Sequence, residues 1–537
     1  MLSNTAVINA LSPLPLPHEM REWDAQTISL GFPEVMLMEN AGRAAFDVLR
    51  RSLPNIANER VWLFMGGGGN GGDAACLARY LLDAGCRVLV SHTKALGMYR
   101  GGAAKHIRMA KAAGVVFAPL NHRIQDNAPA ILIDGLLGTG FVGELRPPLR
   151  ELVDLINTLA PSRFVLSLDI PSGLHGVTGR PSPVAVRANA TVSFAAAKPG
   201  LVLPWAKHWT GRLHIRPVGI PALVSSKAPC SARLLDGRCL ACLPHIPHDA
   251  YKNRFGHVLV IGGIPTYSGA AHLAALAALR AGAGLVTAAA PAASASAIRS
   301  SLREVMTLPL GDAGGKTWPT TLPGSLLELL VRSDALVVGP GMGRTGDAAV
   351  FLTALLSLPK RPPAVFDADA LMLLAERPDT LRTINERDIL TPHPGEAAAM
   401  LHADTAGVQS DRQAALNSLC NLCPCAVVLK GAGTLVGQKG MPVLISPYDV
   451  PQLATAGAGD VLAGCLGALL ACADTHTPAS LAAAALGVVL HALAGRVCAK
   501  AFPARGNTAG EVADAIPIAR AKAAQSAPDE GILPWPE

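Results

Sequence analysis

The sequence predicts an α/β protein of two domains, each a largely parallel sheet covered on both faces by helices. Three observations carry this. The chain has 537 residues, beyond the roughly 250–300 that one hydrophobic core serves. Short apolar runs alternate with helical stretches along its whole length, the pattern of strands buried on both faces. Two apolar runs lead directly into glycine and then into a helical stretch: VWLFMGGGG at 61–69 and HVLVIGG at 257–263.

Taken in order, the first half offers strands at VWLFM, RVLVSH, AILID and FVLSLDI. The second offers HVLVIG, GLVTAAA, ALVVGP, AVFDAD, DILTP and AVVLKG. Between them, residues 221–250 mix Pro, Ser and Cys without periodicity, the composition of a connection. The expected division is a first domain over 1–221, a linker over 222–234 and a second domain over 235–525. In open sheets of this kind ligands bind at the carboxyl ends of strands, so the strand ends are where chemistry is sought.

Composition excludes several classes. The net charge of +7 is spread without a basic run, and aromatics make up 4%, so a nucleic-acid partner is not expected whereas an anionic small molecule is. The first twenty residues lack a basic start and an unbroken apolar core, so no signal peptide is expected. The apolar stretches at 461–473 and 481–495 are too short and too rich in Ala and Gly to span a bilayer, and no membrane partner is expected. Eleven scattered cysteines favour a reducing, cytoplasmic setting. Cys239 with Cys242, and Cys420 with Cys423 and Cys425, lack accompanying His spacing and read as buried thiols rather than zinc ligands. An Ala/Gly-rich surface is compatible with a homo-oligomer.

The stretch at 61–81, VWLFMGGGGNGGDAACLARYL, reads as a ligand loop between a strand and a helix. It is not a P-loop, because Gly72 precedes Asp73 where Lys-Ser/Thr would stand, and a G-x-G-x-x-G match within a glycine run is cheap. Acids also close two further strands, Asp134 after AILI and Asp169 after FVLSL. Convergence of strand ends would gather Asn70, Asp134 and the Ser172 hydroxyl, hard oxygen donors suited to a weakly held monovalent or divalent cation.

These motifs, NGGD at 70–73, DGLLGTGFVGE at 134–144 and SLDIPSGLHGVTG at 167–179, with VMLMENAGRAA at 35–45, resemble the NAD(P)H-hydrate epimerase family over about residues 15–221. The resemblance implies a Rossmann-like three-layer αβα domain that binds hydrated nicotinamide dinucleotide and potassium. Carried over by motif, potassium would meet Asn70, Asp134 and Ser172. The substrate would meet Gly69, Asn70, Gly71, Gly72 and Asp73, then Gly138, Thr139, Gly140, Phe141, Val142, Gly143 and Glu144. Asp169 would move the proton while C6 of the hydrated ring inverts by breaking and remaking a C–O or C–N bond. The chain departs from the family pattern at Gly69 and Ala74.

In the second half ATAGAGDVLAGCL at 454–466 can present successive amides at a helix start, with Asp460 in the first turn. A carboxylate there can take a hydroxyl proton while the amides stabilise a phosphoryl group in transit. VVGPGMG, TPHPGE with His393 and Glu396, and VVLKGAGT with Lys430 are further strand ends aimed at the same crevice, while the acids of DADAL read as helix caps.

Together with SGAAHLAALAALRAGAGLVT at 268–287, these motifs resemble the ribokinase-like fold and, within it, the ADP/ATP-dependent NAD(P)H-hydrate dehydratases, over about 235–525. The resemblance implies that Ala270, Gly341, His393 and Asp460 contact the hydrate. Lys430, Gly431, Ala432, Gly433, Thr434 and Gly459 would contact ADP or ATP with Mg²⁺. Tyr251-Lys252-Asn253 and SPYDVPQL depart from the family pattern. The reading is a bifunctional repair enzyme for hydrated NADH and NADPH; its rival is a vitamin or sugar kinase fused to a non-catalytic binding module.

Overall fold

The computed structural model describes residues 2–120, 129–141, 143–244, 246, 248–473 and 479–523. Its contacts divide the chain into two compact units.

The unit formed by residues 13–232 holds seven strands: β1 (Arg60–Met65), β2 (Arg87–His92), β3 (Val116–Pro119), β4 (Ile131–Gly135), β5 (Phe164–Leu168), β6 (Ala190–Phe194) and β7 (Arg212–Arg216). They pair in the order β3-β2-β1-β4-β5-β6-β7, all parallel. Strand β1 shows why both faces had to be apolar. Val61, Leu63 and Met65 pack under the helices Glu34–Ser52, Gly69–Asp83 and Gly101–Ala112, whereas Trp62 and Phe64 join the opposite cluster with the helix Pro147–Leu159. The period of two in a strand makes this division automatic. The order reverses between β1 and β4, and a crevice opens there beyond the strand ends.

The other unit is built from residues 2–12 and 233–523. Its sheet contains β8 (Ala232–Leu234), β9 (His257–Ile261), β10 (Leu285–Pro291), β11 (Met306–Leu310), β12 (Ala335–Val338), β13 (Ala364–Phe366), β14 (Ile389–Leu390), β15 (Ala426–Leu429), β16 (Leu435–Gly437) and β17 (Val443–Ile445). The order is β11-β10-β9-β12-β13-β14-β15-β16-β17-β8. Pairing is parallel from β11 to β15 and antiparallel from β15 to β17. The switch point lies between β9 and β12.

Every strand expected from an apolar run is present. Those without a signal are short or polar: β6 reads ATVSF, with Thr191 and Ser193 fully buried, and β16 and β17 are three residues each. The apolar stretch at 481–495 is longer than expected. It lies within a 22-residue helix, Ser480–Ala501, whose mean hydropathy of 1.8 would pass for a membrane span, but 83% of its apolar window is buried inside the unit. Side chains of Ala and Gly on this helix let Ala458–Ala471 approach it closely: a Cβ on Gly487 would stand 2.4 Å from Leu466 Cδ2. It is a core helix.

The ends of the expected domains also differ from the observed units. Residues 2–12 sit in the second unit, because Leu2, Val7 and Leu11 are buried in its hydrophobic cluster. Asn4 accepts a hydrogen bond from the Ala482 amide (2.9 Å) at the start of the long helix. Residues 222–234 are structured, with a helix at Ala222–Lys227 and then β8. Leu11→Ala is therefore expected to destabilise the second unit by about 2–3 kcal/mol. Thermal inactivation should show its activity lost at lower temperature with the first unit's activity unchanged; the reverse pattern would place the segment wrongly.

Candidate active sites

In the first unit the helix begins at Gly69, within the stretch expected to be a glycine loop, so Gly69–Gly72 form its first turn and Asp73 follows it. The glycines divide by role. A Cβ on Gly66 would lie 1.7 Å from the Leu136 carbonyl oxygen, and one on Gly71 would lie 2.0 Å from the Gly66 oxygen; both are dictated by close packing of β1, β4 and the helix. Gly68 and Gly69 have open space where a side chain would be, which leaves their backbone accessible.

Asp134, at the end of β4, is fully buried and faces no basic group in its hydrogen-bond set. It accepts from Ser172 Oγ (2.5 Å), the Ser172 amide (2.8 Å) and Ser167 Oγ (2.8 Å). Burial pushes its carboxyl above the usual range, against the pull of these donors. Ser172 Oγ in turn accepts from the Leu137 amide at 2.9 Å. Asn70 donates through Nδ2 to the Leu137 and Leu168 carbonyls at 2.8 and 3.0 Å, which aims Oδ1 the other way. That oxygen is buried and has no partner. The three residues expected around a cation are thus neighbours through shared loop contacts, with one orphaned oxygen and one uncompensated carboxylate between them.

Asp169 adopts φ +62°, a left-handed conformation that Asp and Asn tolerate better than most residues. Its Oδ2 accepts from the Thr139 amide at 3.1 Å, and its Oδ1 pairs with Lys198 Nζ at 2.5 Å. Lys198, only 1% exposed, also donates to Ser193 Oγ and the Phe194 carbonyl. Two further acids feel this pair. Burial first, then the Asp169 and Glu34 charges against Lys198, lift Asp24 to about 6. Asp73 is raised well above its ordinary value by burial and then by Asp169, Asp24 and Glu34.

Gly138 and Thr139 therefore stand beside Asp169. Gly140, Gly143 and Glu144 are exposed, while Phe141 leans on the hydrophobic cluster under Pro147–Leu159. Val142 lies outside the described residues. Sequence reasoning missed Lys198, Asp24 and Glu34; the only signal was the AAAKPG turn after β6.

In the second unit the ends of β13, β14 and β15 converge. Asp367 follows β13, is nearly inaccessible, and pairs with Lys430 Nζ at 2.5 Å at the end of β15. Glu396 lies 3.8 Å from the same ammonium. Asp369 Oδ2 accepts from the Gly343 amide at 2.8 Å. Neither DADAL acid caps the following helix as expected: Asp369 stands in its first turn without a capping hydrogen bond and reaches the loop after β12, and Asp367 is the lysine's partner. Asp460 lies in the first turn of Ala458–Ala471 behind Gly457, whose φ is +87°. Burial, then the Asp367 charge, raise it to about 7, with Lys430 pulling the other way and Asp369 adding to the rise. Glu396 also rises to about 7, by burial opposed first by Lys430. A Cβ on Gly459 would lie 3.5 Å from Lys430 Nζ, so Gly459 keeps this crevice open.

His393 caps the helix Pro394–Met400: Nδ1 accepts from the Gly395 and Glu396 amides at 3.0 and 3.3 Å. An accepting Nδ1 puts the ring proton on Nε2, which faces Glu396 Oε1 at 3.2 Å. Burial and the nearby Lys430 hold its pKa below the ordinary histidine value. Gly341 (φ +60°) follows β12 and packs on the Ala270 methyl, 3.1 Å from where a Cβ would stand. The turn Gly431–Thr434 is closed by Thr434 Oγ1 donating to the Gly431 carbonyl at 2.8 Å, and Ala432 at its tip and Gly431 are exposed while Gly433 is buried. Buried Arg412 holds the base of this turn through the Leu429 and Lys430 carbonyls; nothing in the sequence pointed to it. Among the described residues neither thiol cluster gathers histidine, and all eleven cysteines are free.

Comparison with known proteins agrees with this division. A family profile described as YjeF-related protein N-terminus matches residues 34–200, and one described as NAD(P)H-hydrate dehydratase matches 258–518. The bifunctional NAD(P)H-hydrate repair enzyme of Moorella thermoacetica is 35% identical over 90% of this chain and 92% of its own length. That of Coxiella burnetii is 34% identical over 92% of this chain and 96% of its own. A solved ribokinase-like superfamily protein from Enterococcus faecalis V583 aligns with 55% of this chain and 98% of itself at 25% identity and a TM-score of 0.47. With two strand-end sites of this chemistry and likeness along nearly its full length, the chain belongs to the family of bifunctional NAD(P)H-hydrate repair enzymes.

Proposed function

We propose that the two activities of this family divide between the two sheets. The first unit epimerises the R and S hydrates of NADH and NADPH; the second dehydrates the S form at the expense of ADP or ATP. The observation that supports the division most directly is that each sheet carries its own carboxylate cluster at the carboxyl ends of its strands, each with one lysine inside it. Full-length likeness to bifunctional relatives speaks against the rival kinase reading and against a non-catalytic first unit.

In the first unit Asp169 moves the proton as C6 inverts, and Lys198 holds its carboxylate in place. The open backbone at Gly69 and the exposed Gly140, Gly143 and Glu144 of the loop after β4 would meet the substrate. Asn70 Oδ1, Asp134 and Ser172 would hold potassium, which would supply the positive charge that buried Asp134 lacks; the orphaned Asn70 oxygen fits that role.

In the second unit Asp460 takes the proton of the C6 hydroxyl. A bound nucleotide with Mg²⁺ would supply the phosphoryl group that turns this hydroxyl into a leaving group. The amides of Gly457 and Gly459 stabilise the negative charge in transit, and loss of the C5 proton restores the dihydropyridine. Lys430 is already committed to Asp367, so its task is to keep the acid cluster ionised, and the Gly431–Thr434 backbone is left for the nucleotide. His393, Ala270 and Gly341 line the hydrate's side. The domains proposed for these roles are therefore 13–232 for the first and 233–523 for the second, with residues 2–12 completing the second.

Asp460→Asn should lower dehydration by roughly 10²–10⁴-fold and leave epimerisation near wild type; equal loss of both activities in a folded protein would sink the assignment. A base works deprotonated, so dehydration should fall as pH drops through about 7, an apparent value shared with Glu396. Lys430→Met removes a charge that favours ionised Asp460, so the acid limb of kcat/KM should move to higher pH. A limb that stays in place excludes Asp460 as the titrating base.

Asp169→Asn keeps the left-handed backbone while abolishing the base. Given both hydrates, excess ADP and Mg²⁺, it should consume the S form at the wild-type rate and then stall at the uncatalysed epimerisation rate. Complete conversion, followed by absorbance of the reduced nicotinamide, would remove Asp169 from the epimerase site.

A further inference from the structure

Three helices of the first unit, Glu34–Ser52, Gly69–Asp83 and Gly101–Ala112, each lend one donor to a cluster that the repair chemistry does not use. Glu39, Cys76 and His106 bring their ligand atoms within 4.8 Å of one another. Cys76 Sγ and His106 Nδ1 both lie 3.6 Å from Glu39 Oε2. Tetrahedral zinc with sulfur, nitrogen and oxygen ligands puts such donors about 3.3–3.6 Å apart.

The histidine is set up to ligate. Its Nε2 lies 3.0 Å from the Val35 carbonyl oxygen, a partner that only an N–H can satisfy, so the proton sits there and Nδ1 offers a lone pair. Nδ1 is buried on a side chain 1% exposed, and it has no hydrogen-bond partner. A lone pair, a carboxylate oxygen and a sulfur thus face one point, an arrangement that costs energy until a cation enters.

The neighbours leave that point free. Arg79 Nη2 and Tyr80 Oη both donate to Glu39 Oε1, so Oε2 remains for a metal and the carboxylate is oriented from outside, as supporting groups of metal sites do. The positive charge of Arg79, 4.0 Å from Cys76 Sγ, is outweighed once the thiol ionises. Burial holds that thiol up at about 12, so an entering metal ion displaces its proton to solvent, forming the metal–sulfur bond with no change of oxidation state.

We propose that Glu39 Oε2, Cys76 Sγ and His106 Nδ1 form a site for a thiophilic divalent cation of the zinc class, with water in the fourth position on the partly exposed side of Glu39. The ion clamps three helices, one of which opens at Asn70 and Asp73. The site is separate from both carboxylate clusters and does not depend on the functional roles assigned to them.

The test uses the full chain, stripped with chelator and titrated with Co²⁺ alone. A thiolate-to-cobalt charge-transfer band should saturate at one equivalent, and one equivalent of Zn²⁺ should bleach it and raise the Tm. Cys76→Ser should abolish the band, and His106→Gln and the milder Glu39→Gln should each weaken cobalt binding at least tenfold, with epimerisation retained. X-ray absorption on zinc-loaded wild type, which needs no variant, should show one sulfur with nitrogen or oxygen neighbours. No band in wild type, unchanged binding in the variants, or a zinc shell with several sulfurs from the other cysteines would overturn the proposal and leave Glu39 and His106 as a bare ion pair.

Discussion

A lysine enclosed by several carboxylates, fully buried in one half and partly buried in the other, is the constraint around which each half of this protein is organised. In the first unit the Lys198 charge opposes the rise of Asp24 and Asp73; in the second Lys430 plays that part for Glu396 and Asp460. Removing one partner of such a pair typically costs about 3–5 kcal/mol, because a charge is left buried alone. The acids outnumber the lysine in each cluster, so not all can ionise easily, and some are pushed towards neutrality. A carboxyl poised there exchanges protons readily at physiological pH. The parallel sheets exist, in this sense, to bring several strand ends to one place while shielding the cluster from water.

How much of this was legible depends on whether a residue's partners lie near it in sequence. Asp134, Asp169 and Asp460 each close a strand or open a helix within a motif of small residues, and the topology then needs only the general rule about strand ends. Lys198 follows β6, a strand whose buried Thr191 and Ser193 disguise it, and nothing local shows that it reaches Asp169. Asp24 lies on the early helix Pro17–Ser29 and enters the site only through tertiary packing. Asp367 and Asp369 carried a misleading local explanation, since an acid before a helix is ordinarily a cap; Asp369 instead accepts from the Gly343 amide of another loop, and Asp367 faces Lys430.

The glycines teach a related point. A run of them after β1 reads as a cradle for a ligand, yet Gly66 and Gly71 are fixed by backbone oxygens that a methyl group would strike. Only Gly68 and Gly69 face open space. The same sequence feature thus serves packing and access at adjacent positions, and the pattern alone does not separate them. The departure from the family at Gly69 falls on the side where there is room, which explains why the fold tolerates it. In the second unit Gly459 keeps space beside Lys430, while Gly487 lets two core helices meet.

The path of the chain has a consequence for its biosynthesis. Ser12 accepts a hydrogen bond from the Leu234 amide at 2.9 Å within the second unit, and Ala232 accepts one from the Leu14 amide at 2.9 Å within the first. The polypeptide therefore starts one body, leaves it, completes another, and returns through a paired double crossing to finish what it began. The first unit is a guest spliced into a host. On the ribosome, where chains grow at roughly 5–20 residues per second, the guest can mature while the stub ahead of it waits. Leu2, Val7 and Leu11 stay without their burial partners until the last helices emerge. Its closed ends hold the stub close to where the host sheet will form, so the late search is short in space though long in time.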